Sequence, residues 1–135
     1  MRKIHPIACS LSLAGLLISV APGVHADAAA GKAVYDGKGA CASCHGVTGK
    51  GDSPAAAALN PKPRSFSEGV FKYDTDGDGD GDGDGDGKAG TDTDLFNIIK
   101  DGSAKYGGAA TMPCRADIPD AEIQALVAYI RALKN

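Results

Sequence analysis

The chain has 135 residues, with four Tyr, three Phe, no Trp, 19 Gly, 4 Cys and a formal net charge of −3. That length suits one small domain, and so few aromatics bury only a modest core, which makes a staple or a large cofactor the expectation. No basic excess is present to neutralise phosphates, so nucleic acid is not an expected partner.

Residues 1–26 read as a secretory signal peptide. Arg2 and Lys3 supply a positive start, Ile7 to Val20 form a short apolar run, and Val24-His25-Ala26 places small residues at a cleavage position. The run is interrupted by Ser10, Ser12, Gly15 and Ser19 and is short for a bilayer span, so an uncleaved anchor is the weaker reading. Cys9 stands at the front of the run rather than after it, which argues against a lipoprotein. Cleavage after Ala26 leaves residues 27–135, removes His5, Cys9 and His25, and makes the remaining chain more acidic than the whole. The destination is an oxidising compartment, most simply a bacterial periplasm.

In the remaining chain, Ala28 to Lys38 is Ala-rich and predicts a short helix ended by Gly37 and Gly39. Residues 46–71 carry Pro54, Pro61 and Pro63 among many Gly and read mostly as loop, with one helical turn over Ala55 to Leu59. Asp92 to Lys100 predicts a second helix with Leu95, Phe96, Ile98 and Ile99 on its apolar face and Gly102 beyond its end. Residues 102–116 return to loop. The last helix is the clearest, because Ile123, Leu126, Val127, Ile130 and Leu133 recur at helical spacing, with Asp117 as the expected cap and Pro119 in the first turn. No stretch alternates as a packed strand would. The reading is all-α, with about three main helices and long loops.

Cys41-Ala42-Ser43-Cys44-His45 is a C-x-x-C-H motif, the attachment pattern for c-type haem. Two thiols three residues apart can each add to one porphyrin vinyl group, and the adjacent imidazole is then held at the iron. A thioredoxin-like motif would need a βαβ context, a zinc site would need a second ligand pair, and a plain disulfide would leave His45 unexplained. After leader removal His45 is the only histidine and Met112 the only methionine. Met112 follows the Gly-rich stretch Gly107-Gly108-Ala109-Ala110-Thr111, where the chain can approach a cofactor closely. Core filling is the usual role of a lone Met. A polar loop is a poor place for it, so Met112 is the expected second axial ligand beside His45.

With these motifs in place, the chain resembles the class I cytochrome c family of small exported mono-haem carriers. The resemblance runs from Gly31-Lys32-Ala33-Val34-Tyr35 and the C-x-x-C-H-Gly46 segment through Asn60-Pro61-Lys62-Pro63-Arg64 and Met112-Pro113 to Asp120–Arg131. It implies a cytochrome c fold whose first and last helices cross, with Gly31 and Tyr35 against Leu126 and Tyr129. It also implies a backbone carbonyl accepting from the His45 ring, with Pro54, Pro61 and Pro63 as candidates. The implied function is single-electron transfer between periplasmic or membrane-bound redox partner proteins.

Two features depart from that pattern. Cys114 is an unpaired thiol two residues past Met112, open to three readings: a partly buried apolar filler, an intermolecular disulfide linking an otherwise monomeric protein, or an alternative iron ligand. Residues 74–90 form an acidic Asp-Gly insertion, with Asp74, Asp76, Asp78, Asp80, Asp82, Asp84 and Asp86 at every second position. It opens like a calcium loop, yet every register places Gly85, Gly87, Ala89, Thr91 or Thr93 where the closing Glu belongs. A solvated low-complexity insertion is the bland reading. Weak Ca2+ binding at Asp74, Asp76, Asp78, Asp80 and Asp82, or salt-dependent selection of partners, are the alternatives. The expectation is thus a periplasmic carrier of one covalent haem c, held by Cys41 and Cys44 and ligated by His45 and Met112. A haem enzyme subunit or peroxidase with a displaceable Met112, and a calcium-binding module with a Cys41–Cys44 disulfide, are the competing readings.

Overall fold

The computed structural model describes residues 24–75 and 90–135. Among the described residues four α-helices run in the order α1 Val24–Asp36, α2 Ala42–His45, α3 Asp92–Asp101 and α4 Asp120–Ala132, and there is no strand. Two 3₁₀ turns, Pro54–Ala58 and Ser103–Tyr106, sit in the connections. The all-α expectation therefore holds. Most of the leader, residues 1–23, lies outside the described residues, as do Asp76, Asp78, Asp80 and Asp82 of the acidic tract.

Helix α1 is already helical ahead of Ala28, from Val24 at the edge of the described residues, and the run Ala26 to Ala30 contains no residue that would stop it. It ends at Asp36, where Gly37 N–H donates to the Ala33 carbonyl at 3.0 Å and Gly39 N–H to the Val34 carbonyl at 2.8 Å. Its packing against α4 is close enough to require glycine. A Cβ at Gly31 would stand 1.9 Å from the Ala125 carbonyl oxygen and 2.8 Å from Tyr129 Cβ. One turn later Tyr35, fully buried, meets Tyr129 edge-on with ring centroids 5.2 Å apart. The crossing implied by Gly31, Tyr35, Leu126 and Tyr129 is present.

Helix α4 buries Ile123, Leu126, Val127, Tyr129 and Ile130. Its cap differs from the expectation. Pro119 occupies the N-cap position with no side-chain bond, while Asp117 accepts two 3.0 Å bonds from the Arg115 guanidinium. The Arg115 fork satisfies that carboxylate better than a single helix N–H would. Ile118, Phe66 and Phe71 complete the core from the loops.

Helix α3 begins with a capping box, in which Thr91 Oγ1 accepts from Asp94 N–H at 3.1 Å. Asp94 is 1 % exposed, and its two oxygens divide between two chain segments. Oδ1 accepts from Thr75 N–H at 2.6 Å and Thr75 Oγ1–H at 2.8 Å, and Oδ2 accepts from Thr91 N–H and Oγ1–H, both at 2.8 Å. One carboxylate thus clamps the chain on either side of residues 76–89. Burial alone would push the Asp94 carboxyl up, but these four bonds outweigh it and hold it below the ordinary 3.8. A carboxyl so depressed adds stability that is fully present above 3.8 and fades as pH falls through its lower folded value. Asp94→Asn should cost about 1–3 kcal/mol at neutral pH, because an amide N–H would face a donor. Denaturant unfolding should show the gap to the unsubstituted protein narrowing as pH falls below 3.8.

Candidate functional site

Helix α2 is a single turn, too short to persist on its own, and its geometry comes from what accepts and donates around it. Cys41 stands at its N-cap, where Cys41 N–H donates to the Tyr35 carbonyl at 3.0 Å and the Cys41 carbonyl accepts from His45 N–H at 2.9 Å. Three of the carbonyls that an isolated turn would leave open at the other end find donors. Ala42 accepts from Gly46 N–H at 2.9 Å, Cys44 from Ser53 Oγ–H at 2.9 Å, and His45 from Gly51 N–H at 2.7 Å. Gly46 accepts from the Tyr35 hydroxyl at 2.6 Å. Burial pushes that phenol well above its ordinary value, so it stays protonated and donates. The helix crossing and the C-x-x-C-H turn are joined through Tyr35.

The turn puts Cys41 and Cys44 one helical step apart, with both thiols half-buried. Burial raises the Cys41 thiol above its ordinary value, against a smaller opposing pull from Arg115. His45 is held on two sides. Its Nδ1 lies 3.1 Å from the Arg64 carbonyl oxygen, which can only accept, so Nδ1 carries the proton and Nε2 keeps its lone pair. The Phe66 ring stacks on the imidazole at 4.4 Å between centroids and 19° between planes. Burial lowers the His45 pKa, only partly offset by the Arg64 carbonyl, which favours the neutral, ligating form. The acceptor is Arg64, next after Pro63, and none of Pro54, Pro61 and Pro63 supplies it.

Cys41, Cys44, His45 and Met112 all line one cavity of about 670 Å³. Its other walls include Leu59, Phe66, Phe71, Leu95, Ile98 and Ile130, so it is apolar with a few convergent polar groups, the composition of a cofactor site. The donor set is two thiols, one imidazole with a free Nε2 and one thioether, which fits covalent haem with His and Met at the iron. Among the described residues no group of three or more His, Cys, Asp or Glu is placed to hold a metal ion.

Met112 is held by a loop that sequence reasoning left unstructured. The 3₁₀ turn Ser103–Tyr106 places Ser103 N–H 3.3 Å from the Met112 carbonyl and Ser103 Oγ–H 2.7 Å from that of Ala109, while Met112 N–H donates to Ala109 at 3.1 Å. Gly108 is needed there, since a Cβ would stand 2.8 Å from the Tyr73 hydroxyl. Arg115 was also missed. It pairs with Asp117 and donates to the carbonyls of Lys38 and Gly39, tying the Met112 loop to the segment before Cys41. The pairing signal was the two-residue spacing of Arg115 and Asp117, but nothing in the sequence points to the distant carbonyls.

Cys114 is exposed, while its neighbours Met112, Pro113 and Arg115 line the cavity. The reading of a partly buried apolar filler is corrected by that exposure, because the thiol has left the core. No helix among the described residues is long and apolar enough to cross a membrane.

Comparison with known proteins places the fold in a family. A family described as "Cytochrome c" matches residues 28–134, which include all four candidate haem residues. No match is found among curated proteins. Among solved structures, the chain is similar to one from the Kuenenia stuttgartiensis reducing HAO-like protein complex Kustc0457/Kustc0458, with 28 % identity and a TM-score of 0.59. The similarity covers 82 % of this chain and 44 % of that one, so this chain spans less than half the length of that relative.

Because Cys114 is exposed and outside the core, Cys114→Ser should change stability by no more than about 0.5 kcal/mol in denaturant unfolding.

Proposed function

Since the chain belongs to the cytochrome c family, we propose that it is a periplasmic mono-haem electron-transfer protein whose one haem c is attached at Cys41 and Cys44. The observation that carries this reading is the convergence of Cys41, Cys44, His45 and Met112 on one apolar cavity. In it, residues 1–26 are a leader that exports residues 27–135.

Haem bound there supplies an iron that gains and loses a single electron. The protein's part is to hold it and control its surroundings. The Cys41 and Cys44 sulfurs would form the thioether links, and the bonds at both ends of helix α2 keep them in register with His45. The Arg64 carbonyl keeps the proton on Nδ1 and so presents Nε2 as a ligand. Met112 offers its thioether from a loop stitched at Ser103 and Ala109. The aliphatic and aromatic walls exclude water, which lowers the solvent reorganisation that accompanies a change of charge. If His45 and Met112 both ligated the iron, the protein itself would supply its ligands, which favours a carrier that exchanges electrons with redox partner proteins.

A second reading is a haem subunit of a larger enzyme, with Met112 displaceable. It is favoured by the likeness to part of a chain from the Kuenenia stuttgartiensis HAO-like protein complex.

Absorbance spectra of the protein made with its leader in a host that matures c-type cytochromes separate the two. The carrier predicts sharp bands on reduction and a weak near-infrared methionine–iron band on oxidation. Met112→Ala should lose the near-infrared band and keep its covalent haem, and Cys114→Ser should change neither. A high-spin oxidised spectrum in the unsubstituted protein would favour the enzyme subunit.

A further inference from the structure

An imidazole side chain turns about its last torsion in a broad, shallow well, so a ligand histidine needs outside contacts to fix its plane. The Arg64 carbonyl acts in the plane of the His45 ring and fixes which way Nδ1 points. A hydrogen bond of 3.1 Å still lets the ring rock about that line. The contact that opposes rocking must come from the ring face, and Phe66 supplies it at 4.4 Å and 19°.

The geometry points to Phe66 as a positioning residue that sets the His45 ring plane, an assignment that rests on the haem reading above. Phe66 is itself well fixed. It is 7 % exposed, it meets Tyr35 edge-on at 6.5 Å, and it lies 6.1 Å from the Phe71 ring. Its N–H donates to the Gly49 carbonyl at 2.7 Å, and its carbonyl accepts from Gly69 N–H at 3.0 Å. Gly49 leaves the space this requires, since a Cβ there would stand 3.0 Å from Phe66 Cδ2. The in-plane acceptor and the face-on ring come from residues only two apart, so one loop delivers both constraints. Through Tyr35 the ring is also coupled to Tyr129, which makes Tyr129, Tyr35, Phe66 and His45 a continuous aromatic path from the helix crossing to the ligand.

The orientation of an axial imidazole decides how unpaired electron density spreads over an oxidised haem, and proton NMR reads that spread in the haem methyl resonances. Phe66→Leu retains an apolar side chain of similar bulk but has no ring face. In the oxidised holoprotein it should shift and reorder the haem methyl resonances while covalent haem content and the near-infrared methionine band stay as in the unsubstituted protein. An unchanged methyl pattern in Phe66→Leu would overturn the assignment. Should that variant fail to fold, the unsubstituted reduced protein decides. Cross-relaxation between the His45 and Phe66 ring protons is expected, and its absence would equally sink the proposal. A chain that acquires no covalent haem would instead defeat the functional reading, and the same ring-to-ring measurement would still test the stack.

Discussion

The approach of helix α1 to helix α4 at Gly31 is the constraint on which the rest depends. No side chain fits between Gly31 and the Ala125 carbonyl, where even a Cβ would come within 1.9 Å. That contact brings Tyr35 onto Tyr129, buries its phenol and aims its hydroxyl at the Gly46 carbonyl. The C-x-x-C-H turn is thereby tied to the C-terminal helix, whose Leu126 and Ile130 form part of the cavity wall. A site at one end of the chain is built against a helix at the other. Helices α1 and α4 must therefore pack together for Leu126 and Ile130 to wall the cavity beside Cys41.

From that anchor the loops solve a second problem, which is holding ligands on segments with little regular structure. Helix α2 has four residues, yet three of its carbonyls are met by Gly46, Ser53 and Gly51, and the carbonyl of its cap, Gly46, by Tyr35. The Met112 loop is closed on Ser103 and strapped to the segment before Cys41 by Arg115. Asp94 does the same for the chain on either side of the acidic tract, and Arg131 of α4 pairs with Asp92 at 2.8 Å beside it. The overall charge of −3 hides this arrangement. Much of the acidity stands in one tract, and Thr75 near its start and Thr91 just past its end share the single buried carboxylate of Asp94.

What could be read from the chain was what repeats or what is chemically rare. The periodic apolar residues of α3 and α4 gave their positions to within a residue or two, and C-x-x-C-H with the lone Met112 pointed to residues that do share a cavity. Gly31 and Tyr35 were legible through resemblance. Partners set by three-dimensional approach of backbone groups were not. No local pattern distinguishes the Arg64 carbonyl from those of its proline neighbours, because loop path alone decides which one faces Nδ1. Asp117 looked like a cap from spacing, yet the Arg115 fork outcompeted the helix N–H. Asp94 was legible only as a first-turn helix residue, since its second partner, Thr75, lies 19 positions away. Phe66 read as loop because its role depends on a ring packed across from it.

The haem reading and the scarcity of aromatic side chains now describe the same fact. Phe66, Phe71, Tyr35 and Tyr129 belong to one core cluster, Phe66 and Phe71 line the cavity, and in the proposed reading a planar cofactor would complete the apolar centre they begin. The intact mass of the denatured protein, exported from a host that matures c-type cytochromes, tests this most directly. The expected result is the mass of residues 27–135 plus one haem, retained under denaturing conditions and lost in Cys41→Ala/Cys44→Ala. A denatured chain at the bare polypeptide mass, with Cys41 and Cys44 as free thiols or as a disulfide, would contradict it.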